Sequence, residues 1–155
     1  MKTERRSVLK KLFASVVSVT GLGLVANAKS IVATPDKEVG NITYFQGVPL
    51  FSSYTIHGNT VYITGLGAHV APFDIKNHTE IVLKRLEDEL KKAGSSMEKV
   101  LKVNVYLNDF ADYKGMNEVY QGRFGSKPPV RTTVAVAKGG IPGDTIVEMD
   151  AIAYL

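Results

Sequence analysis

The chain has no cysteine. That excludes disulfide staples and thiolate chemistry, so neither stability nor any nucleophilic step can rest on a thiol. Histidine is nearly as scarce, with only His57, His69 and His78. Their spacing, even with Asp74 close to His78, fits no common ligand pattern, and no metal is expected. Long apolar runs are missing as well. The most apolar stretch, Leu12 to Val25, is short for a membrane span and is interrupted by Ser15, Ser18, Thr20, Gly21 and Gly23. Gly65-Leu66-Gly67 is too short to cradle a phosphate on its own. No internal repeat or low-complexity tract divides the chain, whose length suits one domain with a single core.

The charge balance depends on the first residues. Glu4-Arg5-Arg6-Ser7-Val8-Leu9-Lys10 carries paired arginines, the mildly apolar run follows, and Ala26-Asn27-Ala28 ends it with small residues. This resembles a twin-arginine (Tat) export signal over residues 1–28, cleaved after Ala28, and implies a periplasmic protein without stable membrane association. Glu4 and Val8 depart from the usual pattern, and an uncleaved amphipathic anchor is the alternative. The whole chain has a formal charge of +4, from 19 basic and 15 acidic residues. Five of the basic residues (Lys2, Arg5, Arg6, Lys10 and Lys11) and one acid (Glu4) lie in the signal, which leaves 14 of each sign. A neutral remainder offers no electrostatic footprint for nucleic acid.

Residues 29–48 read as a flexible lead-in, with one extra short strand near Ile42 to Phe45, and 49–155 as the domain. Ser52 to His57 and Thr60 to Gly65 read as strands around a Gly58-Asn59 turn. Gly65-Leu66-Gly67-Ala68 then frees the backbone to turn or to let something approach closely. Asp74 to Ala93 is predicted as a helix: Val82, Leu83, Leu86, Leu90 and Ala93 share a face, with Asp74 or Asn77 as cap and Gly94 as stop. Val100 to Leu107 is a strand. A second helix carries Met116, Val119, Tyr120 and Phe124, and strands over Thr132–Ala137 and Ile146–Tyr154 complete the order ββ-α-β-α-ββ. The expected fold is α+β, a single mixed sheet with two helices on one face. An oligomer could cover the other face.

Two positions stand out chemically. Arg131 follows Pro128-Pro129-Val130 at the mouth of a strand, where a partly desolvated guanidinium can clamp a carboxylate with two parallel hydrogen bonds. Glu148 and Asp150 lie in a strand whose alternation points them to the same face as Ile146 and Ile152. An acid in that setting is either a paired structural charge or a tuned acid/base. If the two strands lie close together, a buried Arg131–Glu148 pair is the structural alternative to a catalytic site.

Pro129-Val130-Arg131-Thr132-Thr133-Val134 through Ile146-Val147-Glu148-Met149-Asp150-Ala151-Ile152-Ala153 resembles the signature of the RidA (YjgF) family. The likeness takes in Asn117 and Tyr120, Thr79, Leu83, Leu86, Ala93 and Gly94, then Gly58-Asn59 and Thr64-Gly65. The resemblance implies a chorismate-mutase-like fold assembled as a homotrimer with ligand clefts between subunits. It also implies hydrolysis of reactive 2-imino acids, or their enamine tautomers, to 2-keto acids and ammonia without metal or organic cofactor. On this reading Arg131 binds the substrate carboxylate and Glu148 assists water attack. Asn117, Thr64, Phe51 and Thr133 line the ligand site.

Several positions depart from the family pattern. Phe51 stands where a tyrosine is frequent, which leaves Tyr54 or Tyr44 to supply a phenol. Leu66 stands where glutamine is common and Thr133 where the best-known members carry cysteine. A non-catalytic periplasmic binder or sensor of small carboxylates would use the same cleft. Ribonuclease activity, reported for some members, is disfavoured by the neutral charge and by export.

Overall fold

The computed structural model describes residues 35–137 and 139–155. The proposed signal, its cleavage point and the first part of the lead-in lie outside the described residues. Strand pairing begins inside the stretch read as a lead-in. The short strand β1 (Glu38–Val39) pairs with β4, while β2 (Ile42–Phe45) and β3 (Val48–Ser52) form a separate two-stranded ribbon.

The main sheet continues with β4 (Tyr54–His57), β5 (Thr60–Gly67), β6 (Val100–Leu107), β7 (Val130–Ala135) and β8 (Val147–Tyr154), in the order β1-β4-β5-β8-β6-β7. Gly58 closes the β4–β5 hairpin at φ +60°, a left-handed conformation that glycine adopts without steric cost. All neighbours are antiparallel except β6 and β7, which are parallel. Such a pair needs a crossover, and helix α2 (Tyr113–Tyr120) supplies it. β7 is an edge strand, where the missing N–H of Pro128 and Pro129 ahead of it breaks no ladder.

Helix α1 (Ile75–Lys92) starts where the Asp74 carboxylate accepts from the Asn77 amide at 3.0 Å, and Gly94 follows its end at φ +83°. His78, Thr79, Val82, Leu83, Leu86 and Leu90 form its buried stripe. That stripe meets Val61 and Ile63 of β5, Val103 and Val105 of β6, and Val147, Met149 and Ala151 of β8. Each of the valine, leucine, isoleucine and methionine side chains among them stabilises the fold by about 1.5–3 kcal/mol when fully buried. The opposite side of α1 carries exposed pairs such as Lys84–Asp88 at 3.1 Å, a solvated face. No helix among the described residues is long and apolar enough to cross a membrane.

Both helices therefore cover one side of the sheet, as alternation along the strands dictates. The other side bears Tyr62 and Thr64 of β5, Lys102, Asn104 and Tyr106 of β6, and Glu148, Asp150 and Ile152 of β8, all half-buried or exposed.

Candidate active site

Arg131 projects from β7 toward the helices. Its register partner is Val103, a core residue with no exposed surface, and α2 packs above it. The guanidinium carbon lies 4.6 Å from the centroid of the Tyr120 ring and 5.7 Å from that of Tyr113. Its Nη2 donates to the Tyr113 hydroxyl at 3.2 Å, and Nη1 reaches the Met116 sulfur at 4.0 Å. Tyr113, Met116 and Tyr120 fall three and four residues apart, so one helical face presents all three to the cation. Cation–π contact and the phenol hold the group in place without neutralising it. Among the described residues no carboxylate pairs with Arg131.

Two buried hydroxyls on the elements that carry and face this cation have no hydrogen-bond partner among the described residues, Tyr120 Oη on α2 and Thr133 Oγ1 on β7. Thr133 lies two residues after Arg131 and so shares its side of β7. Burial pushes the Tyr120 phenol up to about 12, with Arg131 pulling the other way. The phenol is therefore neutral at physiological pH and can donate. Asn117 occupies the same helix between Tyr113 and Tyr120, half-buried.

Glu148 stands elsewhere. On β8 it opposes Tyr106 of β6 and points to the side of the sheet away from the helices. Burial raises its pKa above the ordinary carboxylate range, Asp150 adds to the rise, and His69 partly offsets it. Asp150 itself accepts from Asn104 Nδ2 at 2.8 Å and from the Tyr106 hydroxyl at 3.0 Å. Thr64 lies on the same side as Glu148, and Phe51 sits on the outlying ribbon with half its surface exposed.

The expected reach between Arg131 and Glu148 is therefore corrected for a single chain. β6 separates their strands, and period-two alternation sends the two side chains to opposite sides of the sheet. An intrachain structural ion pair is excluded by the same geometry. Of the anticipated site residues, Arg131, Thr133 and Asn117 gather beside α2, whereas Glu148 and Thr64 share the open side.

The glycines after Thr64 explain how Glu148 is seated. The β5–β8 register shifts between Ile63 and Leu66, a bulge that sets Thr64 and Gly65 opposite Asp150 and brings Gly65 against the Glu148 side chain. A Cβ at Gly65 would collide with Glu148 Oε1 and lie 2.9 Å from its Cδ. Gly65→Ala should therefore push the carboxylate aside rather than unfold the chain, because the obstructing atoms end a flexible side chain. The expected result is at least a roughly 10-fold loss of turnover, one misplacement step in the catalytic geometry, with Tm almost unchanged. Unaltered turnover would mean that the seat of Glu148 has no bearing on chemistry.

Sequence reasoning missed the groups that hold the loop before β8. The fully buried His78 accepts from the Ile146 amide at Nδ1 (3.3 Å), and its Nε2 donates to the Val70 carbonyl (3.0 Å). Thr145 Oγ1 accepts from Ala68 N and donates to the Val147 carbonyl, while Asn108 Nδ2 donates to the Thr145 carbonyl. These bonds fix where β8 starts, and hence where Glu148 points. Nothing in residue spacing signals them. Tyr113 was also unmarked, although its place one turn before Asn117 was visible. Tyr54, a candidate to supply a phenol, donates its hydroxyl to the Lys92 carbonyl at 3.4 Å, and Tyr44 lies on the exposed ribbon.

Comparison with known proteins fits this arrangement. Residues 44–155 match the family described as Endoribonuclease L-PSP. The chain is a member of that family, which includes YjgF and RidA. A RutC family protein of Pyrococcus abyssi is 38% identical over 103 residues, spanning 63% of this chain and 80% of the relative. A protein of Dermatophagoides farinae named 2-iminobutanoate/2-iminopropanoate deaminase is 29% identical over 133 residues, 82% of this chain and 97% of the relative. The crystal structure of RidA from an Antarctic Psychrobacter superimposes with a TM-score of 0.62 at 31% identity, covering 68% of this chain and 88% of that one. The single mixed sheet with two helices on one side is thus the fold of the L-PSP family, as the residues predicted.

Proposed function

We propose that this L-PSP family member hydrolyses small 2-imino acids, or their enamine tautomers, to 2-keto acids and ammonia. The observation that carries the proposal is the Arg131 guanidinium, oriented by Tyr113 and Tyr120 yet lacking any carboxylate of its own among the described residues. A substrate carboxylate completes it with two charge-assisted hydrogen bonds. The protonated imine carbon is already electrophilic, so the site has only to hold it and orient one water. Glu148 takes a proton as the water oxygen bonds to that carbon, and the C=N π electrons move onto nitrogen. Returning the proton to nitrogen makes ammonia a leaving group. The hydroxyl proton then passes to Glu148 as the oxygen lone pair forms C=O and the C–N bond breaks, releasing ammonia and the keto acid.

Because Arg131 and Glu148 face opposite sides of one chain, the proposal assigns them to a cleft between two copies. The open side of the sheet, with Glu148 and Thr64, is the surface a neighbour would cover in a homotrimer. Ribonuclease chemistry gains no support from these groups: the Arg131 cation lies among tyrosines on the helix side rather than in a basic stripe.

The test generates the imine in place with an amino-acid oxidase and follows its conversion to keto acid. Adding the protein should accelerate keto-acid release. If a 2-keto acid raises Tm but release is never accelerated, the hydrolase proposal fails and the cleft is a binding site.

A further inference from the structure

One hydroxyl beside the Arg131 cation has no role in the site described so far. Tyr113 accepts from Arg131 Nη2, and a guanidinium can only donate, so the bond engages a phenol lone pair and leaves the O–H unspent. No acceptor among the described residues takes that proton. The ring is held as well: it stacks on Phe110 with centroids 5.1 Å apart and planes at 14°. Its position at the start of α2, after the short helical turn Phe110–Asp112, fixes the backbone below it. A phenol O–H polarised by a cation at 3.2 Å is a strengthened donor aimed at whatever the cation attracts.

We propose that the Tyr113 hydroxyl is a second ligand-binding group of this site, donating to the same carboxylate that Arg131 clamps. The proposal rests on the reading of Arg131 as carboxylate anchor. One carboxylate oxygen would then bridge Nη2 and Tyr113 Oη, while the other meets the rest of the fork. This arrangement favours a planar monoanionic carboxylate with a free oxygen edge, and it assigns Tyr113 to affinity rather than to proton transfer.

The experiment titrates full-length wild type, Tyr113→Phe and Arg131→Ala with 2-oxobutanoate by calorimetry, and measures KM and kcat for the corresponding imine. Tyr113→Phe keeps the stack on Phe110 and the ring near the guanidinium, so only the hydroxyl is lost. A hydrogen bond to a charged group sets the expected loss at roughly 10- to 100-fold in Kd, with a parallel rise in KM and little change in kcat. Equal or tighter binding by Tyr113→Phe, with binding lost in Arg131→Ala, overturns the role of the hydroxyl and leaves the anchor standing. Unchanged binding in both variants overturns the anchor and the phenol together.

Discussion

Arg131→Ala is expected to lower kcat/KM by roughly 10²- to 10³-fold, the loss of two charge-assisted hydrogen bonds to the substrate carboxylate. Its effect on stability should be small. Removing one partner of a buried ion pair typically costs about 3–5 kcal/mol, but Arg131 has no such partner among the described residues. What disappears is contact with two tyrosine rings, about 0.5–1 kcal/mol for each. Steady-state kinetics and a melting curve on the same preparation separate the two effects. A large drop in Tm together with activity would make Arg131 a structural residue. Arg131→Lys should recover only part of the activity, because an ammonium keeps the charge but not the planar fork.

Glu148→Gln should be the more severe change for turnover, by roughly 10²- to 10⁴-fold, the range spanned by general acid–base contributions. Its signature is the pH profile. The carboxylate must be ionised to take a proton from water, and burial lifts its pKa above the ordinary 4.5. Activity should thus rise with pH through a midpoint above that value, and the rise should vanish in the variant. Stability runs the other way. A carboxyl whose folded pKa is raised gives its full contribution below the unfolded pKa, and this is lost as pH rises through the folded value. Near neutral pH the variant should be at least as stable as the wild type, so an inactive Glu148→Gln that also melts much earlier would argue against a catalytic role. Mixing the two inactive variants then tests the shared cleft. If each site draws Arg131 from one copy and Glu148 from another, about a quarter of sites in random mixed assemblies regain both groups. No recovery on verified mixing would return the chemistry to single chains.

The order of elements was legible because the patterns were strong. The α1 stripe, the cap at Asp74 and the valine alternation of β6 each have one low-energy interpretation. Glu148 and Asp150 were correctly placed on one side of β8, since alternation is local information. The relation between β7 and β8 was not legible. It depends on β6 lying between them, on the parallel β6–β7 register, and on which residue of β7 faces the helices. None of these is written within a strand. The clamp on Arg131 escaped for a similar reason: Tyr120 reads as an ordinary core position of a helix, and nothing marks Tyr113, until the edge strand is laid beneath them. Strand pairing from Glu38 was missed because Pro35 to Asn41 is short, polar and broken by Gly40, which gives periodicity too few residues to act on.

Opposite placement on one sheet has a further effect on selectivity. A carboxylate tethered on the same side as Arg131 would be an internal competitor, present at an effective concentration on the order of millimolar whatever the cell supplied. A scarce imino acid would have to displace it at every encounter. By turning Glu148 to the far side, alternation keeps a chain's own acid off its Arg131, which meets no carboxylate among the described residues. Within one chain the sheet itself acts as the insulator between the cation and the acid, so on the proposed reading the two meet only where a second copy completes the cleft.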